Sequence, residues 1–193
     1  MTDIEIVMDL LSELVRQTGV STRSLTHDEL TWQPDPHGNS IAVTVWHYTR
    51  WWDILTVRAF QNRPPEDELW FRRGWYEQTH YDPRGIGVGG LGSLTGYSWA
   101  EVEAVPILSA TELMEYLDMS MQAMLAFLHT LPEGGLFQIA PGLGGDRTYY
   151  DWIKEIGTGS FRHVGEIQTL KALRQRKLNI PAAAPASAKI VAG

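Results

Sequence analysis

The chain of 193 residues contains no cysteine. That excludes disulfides, thiolate metal sites and a cysteine nucleophile carried by the protein itself. It fits a reducing compartment, and a cytoplasmic location is expected. Positive charge is also short. Sixteen Lys and Arg stand against 23 Asp and Glu, for a formal net charge of −7. Phosphate recognition wants a basic surface, so no nucleic-acid partner is expected. Long apolar runs are missing too. No stretch approaches the ~20 residues that a membrane helix needs. The opening "MTDIEIVMDLLSELV" is acidic where a signal peptide starts basic. No membrane partner is expected. Neither a strand-like alternation nor an internal repeat is present.

What is present is helical periodicity. Ile4, Val7, Met8, Leu11, Leu14 and Val15 make one stripe over residues 3–18, with Thr2 and Glu5 at capping-box spacing and Gly19 as the stop. Thr26 and Glu29 repeat the box and predict one helical turn. A second helix over residues 40–61 starts at Asn39 or Ser40 and closes at Pro64 and Pro65. Val43, His47, Trp51, Ile54 and Arg58 share one of its faces, flanked by Trp46 and Leu55. A third helix over residues 110–129 follows a Ser109–Glu112 box and carries Leu113, Leu117, Met121, Met124, Leu125 and Leu128. A fourth, over residues 150–178, has its stripe at Trp152, Ile156, Gly159, His163, Ile167 and Leu170. Between the second and third lies a crossover, residues 62–109. It holds a short helical candidate at 67–76, a glycine-rich loop and a turn beginning at Ser98. The expectation is an all-α four-helix bundle with a long crossover, one domain over residues 1–180. Residues 181–193, rich in Ala and Pro, read as a flexible tail.

His47 and His163 each stand on an otherwise apolar helix face. Two imidazoles pointing into one core could hold a divalent metal, zinc or nickel among others. A catalytic site usually supplies three protein ligands and leaves one position open. The natural third position, four before His163, is Gly159. Glu166, three after His163, is the candidate that remains. The plainer alternative is a pair of core histidines hydrogen-bonded to neighbours such as Tyr48, Thr44 or Glu166. A glycine inside a helix costs about 0.5–1 kcal/mol relative to alanine. Close helix packing or room for a ligand beside His163 would offset that. Trp46, Arg50, Trp51 and Gly159 are the residues expected around a substrate pocket. For Arg50 and Arg58 the choice is between an anionic substrate and ordinary surface. Asp53 reads as a surface group or one behind the site. "GVGGLG", residues 87–92, matches G-x-G-x-x-G but follows no strand, so the dinucleotide reading fails and a loop or substrate lid remains.

The stretches "SIAVTVWHYTRWWDIL", "LWFRRGWYEQ" and "RHVGEIQTLKALR" resemble, in order and spacing, the DinB-like superfamily of metalloenzymes, over residues 4–178. The resemblance implies a four-helix bundle with a long crossover between helices 2 and 3, often a homodimer. It implies a metal ligand at His47 and a second at His163, the latter followed by x-Gly-Gln, which here reads Val164-Gly165-Glu166. The first ligand of the helix-4 pair falls on Gly159, which departs from the family pattern. Relatives with known activity are thiol-dependent S-transferases and a mycothiol-dependent isomerase, in which a metal activates the thiol of a small cosubstrate. Two functions are therefore expected in competition. One is a metal-dependent transferase or hydrolase, with a low-molecular-weight thiol cosubstrate and a shell of His47, His163 and Glu166. The other is a metal-free member that binds a small ligand or acts as a dimeric interaction protein.

Overall fold

Hydroxyl caps set where the helices begin. In the computed structural model, which describes residues 2–179, α1 spans Asp3–Thr22, α2 His27–Thr31 and α3 Ile41–Ile54. The crossover carries α4, Leu69–Arg72, α5, Trp75–Thr79, and α6, Trp99–Glu103. The chain then forms α7, Ala110–Leu128, and α8, Tyr149–Lys177. Reciprocal capping boxes start α1, α2, α6 and α7 at Thr2, Thr26, Ser98 and Ser109. A further box, Thr148 with Asp151, starts α8. The tail expected at 181–193 lies outside the described residues. Among the described residues no strand forms, only an isolated bridge between Ile139 and Thr148.

Three local expectations need correction. Gly19 does not stop α1, which runs on to Thr22 with the Arg23 side chain lying over the glycine. The single helix expected at 67–76 is divided into α4 and α5 by Gly74, whose φ of 85° lies outside helical space. The second long helix is not uniform either. After Ile54 the backbone widens into a π-helical segment, Leu55–Phe60.

Four long helices make the frame. α3 packs on α7 and on α8, and α1 packs on the same two. Leu14, Trp46, Trp52, Leu55, Leu113, Leu117, Met124 and Ile167 are buried between them. Most of the tryptophans therefore serve the core: Trp46, Trp52, Trp70, Trp75 and Trp152 are all buried. The crossover is bolted to α3 by charge. Arg50 donates to Glu68 at 2.7 Å and to Asp53 at 3.2 Å, and Tyr116 of α7 donates to Asp53 at 2.8 Å. The backbone N–H groups of Leu69 and Trp70 donate to Asp53 as well. Arg50, Asp53 and Glu68 are each no more than 1% exposed. Burial raises the Asp53 and Glu68 carboxyls, and the Arg50 guanidinium opposes that rise.

Candidate functional site

α3 and α8 open a cavity of about 500 Å³ where His47 meets His163. His47, Tyr48 and Trp51 of α3 form one wall, and Ile156, Gly159, Ser160, Arg162 and His163 of α8 another, with Thr95 of the crossover and Glu155 at the edge. The two imidazole rings lie edge to face with centroids 5.0 Å apart, and Tyr48 stacks over His163. Trp52 ties the two helices together beneath, its Nε1 donating to Ser160 Oγ at 3.1 Å.

Each imidazole is held at Nδ1. His47 Nδ1 donates to the Ser93 carbonyl of the crossover. His163 Nδ1 is 2.7 Å from Glu166 Oε2, one turn further along α8. Burial pushes His47 down to about 4; the Ser93 carbonyl opposes this and the neighbouring His163 reinforces it. His47 is therefore neutral at pH 7. The crossover is pinned to α3 at three successive points: Arg50 Nε on Gly92 O, His47 on Ser93 O, and Trp51 Nε1 on Thr95 Oγ1. The glycine-rich segment shapes this wall and holds no phosphate cradle between strand and helix. Gly92 has a φ of 72°, and a Cβ there would stand 2.4 Å from the Pro83 carbonyl oxygen.

The structure brings His47, His163, Trp51 and Gly159 together at one cavity. Glu166 stands behind His163, on its far ring nitrogen. Trp46 and Arg50 are elsewhere. Trp46 is fully buried against Trp70 and Tyr81. Arg50 spends its guanidinium on Asp53, Glu68, Tyr116 and Gly92, so it has nothing left for a substrate. Asp53 is no surface group, and nothing in its local sequence marks the buried cluster it anchors, because Glu68 and Tyr116 come from distant segments. Sequence reasoning also missed Ser93 and Thr95, whose roles follow from the path of the crossover.

Gly159 decides what the site can hold. A Cβ built there meets nothing within 4 Å, so close helix packing is not what keeps the position small. Among the described residues no group of three or more His, Asp or Glu side chains is placed to hold a metal ion. The donor set stops at two imidazoles, one short of a resident catalytic centre.

A sequence model of the DinB superfamily matches residues 5–167. The chain belongs to the DinB superfamily. A solved structure, described as a conserved protein from Enterococcus faecalis, superposes with a TM-score of 0.72 over 90% of this chain and 97% of that one, at 18% identity. That likeness speaks for the shared fold alone. No curated protein matches the chain. Among the described residues no helix of this DinB-family chain is long and apolar enough to cross a membrane.

Proposed function

We propose that this DinB-family protein binds a small organic ligand in the His47–His163 cavity without a resident metal, and that His163, oriented by Glu166, is its acid–base group. The observation that carries the reading is the open space at Gly159, where a third donor would have to stand. A histidine whose far nitrogen is held by a carboxylate keeps one tautomer and turns its other nitrogen to the reacting group. The half-exposed face of Trp51 gives an apolar ligand a platform beside that nitrogen. The test is a screen of small aromatic fragments by protein NMR. Binding should move the Trp51 indole N–H and the His163 ring signals together. Fragments that shift neither would end the reading.

The second reading is a metal-dependent transferase or hydrolase acting on a small thiol. One observation favours it. Metal-ligating histidines characteristically give their second ring N–H to a carboxylate or a carbonyl, and here His163 has Glu166 and His47 has Ser93 O. His47 and His163 would then be the protein ligands, with the remaining positions supplied from outside the chain. Such a cation would lower the pKa of a bound thiol or water. One equivalent of zinc retained by the wild-type chain, and lost in His163→Ala, would establish this reading in place of the first.

A further inference from the structure

The tautomers of the two histidines say what kind of ligand suits the cavity. A carbonyl oxygen only accepts, so His47 Nδ1 carries the hydrogen it gives to Ser93. A carboxylate only accepts, so His163 Nδ1 carries the hydrogen it gives to Glu166. In the neutral rings both Nε2 atoms are then bare lone pairs. Neither forms a hydrogen bond with any described residue. The two rings lie edge to face with centroids 5.0 Å apart, so one cavity is lined by two acceptor-bearing imidazoles. Two of the nearby donors are already committed: Trp51 Nε1 to Thr95 Oγ1, and Ser160 Oγ to the Ile156 carbonyl.

Two acceptors lining one cavity call for a divalent cation or for a ligand rich in N–H donors. The missing third protein donor at Gly159 disfavours the first, and the open space there admits the second. We infer that the cavity recognises a small organic cation through a donor-rich head group, an amidinium, guanidinium or primary ammonium, set between His47 Nε2 and His163 Nε2 with its apolar part on Trp51. This rests on the metal-free reading above and names its ligand class. The electrostatics agree. Glu166 backs His163 and the whole chain carries a formal charge of −7, while Glu155 at the edge is paired with Arg147. Arg162 is the opposing charge among the lining residues. It is exposed, its Nε is given to the Thr158 carbonyl, and solvent screens it.

Three probes of one shape separate the possibilities: benzamidine offers donors and a positive charge, benzamide is neutral, and benzoate offers only acceptors. Each is titrated onto the full chain near pH 7.5, followed by calorimetry and by the Trp51 indole signal. Benzamidine should bind one to one, at least tenfold tighter than the other two. His163→Ala should weaken it tenfold or more, and Arg162→Ala should leave it unchanged or tighten it. Gly159→Leu should abolish binding while the helix stays folded, because the new side chain fills open space on α8. Benzoate binding as well as benzamidine would overturn the inference and leave the ligand pocket standing. So would benzamidine binding that ignores both His163→Ala and Gly159→Leu. Zinc retained at one equivalent and displaced by no probe would overturn both the inference and the metal-free reading.

Discussion

His47 sits where a charged imidazole is costly, and its proton uptake is the price of acidifying the protein. Burial lowers its pKa from 6.5 to about 4. Between those values the unfolded chain binds the proton and the folded chain does not. Stability held in full above about pH 6.5 is therefore lost as the pH falls toward 4. His47→Asn keeps an N–H near Ser93 and removes the titration. The melting temperature of this variant should change less than wild type between pH 6.5 and 4.5, and the His47 ring of the wild type should titrate near 4 by NMR. Gly159→Ala bears on the other half of the site. Its Cβ meets open space and its helix gains a better former, so the chain should be more stable by roughly 0.5–1 kcal/mol in denaturant unfolding. A loss of stability would mean that the glycine is needed by the fold. Both histidines were legible in the sequence because a polar ring on an apolar stripe stands out. The role of Arg50 was not, since a buried arginine and a surface one look alike until Glu68 and Tyr116 are known to reach it.

Helices were legible at their starts and much less so in their interiors. Boxes at Thr2, Thr26 and Ser109 announce themselves by spacing. The Thr148–Asp151 box escapes the Glu/Gln form of that pattern, yet α8 begins there. The π segment after Ile54 leaves no trace in apolar periodicity, because one extra residue per turn over Leu55–Phe60 shifts the stripe too little to be noticed. Its consequence appears in the loop before α8. Gly142 N–H donates to the Ala59 carbonyl at 2.9 Å, and a Cβ on Gly142 would fall 1.8 Å from the Arg58 carbonyl oxygen. That loop can lie on the π segment only with glycine at this point. Gly142→Ala must push the backbones apart, and a destabilisation of about 1–3 kcal/mol is expected from denaturant unfolding. An unchanged midpoint would show that the loop is not held there.

At the scale of the whole molecule, the order of the four long helices and the length of the crossover were readable from the sequence. How the crossover is fastened was not. It hangs on a charge cluster that draws from α3, α4, α7 and the segment before α4. Arg50→Met removes the cation and leaves Asp53 and Glu68 buried together. The expected loss is about 3–5 kcal/mol, the cost of stranding buried charge. Because Arg50 also holds Gly92, next to the carbonyl that fixes His47, the same variant should disturb the Trp51 and His47 signals. A mild effect on both would mean that the cluster neither fastens the crossover nor supports the site.

The central claim is that Gly159 leaves this DinB-family cavity one donor short of a metal centre and gives the space to a ligand. Zinc titration of the untagged wild type and of Gly159→His, followed by dialysis and metal analysis, tests it most directly. Wild type should retain well under one equivalent and Gly159→His close to one. One equivalent in the wild type, unchanged by the added histidine, would contradict the claim.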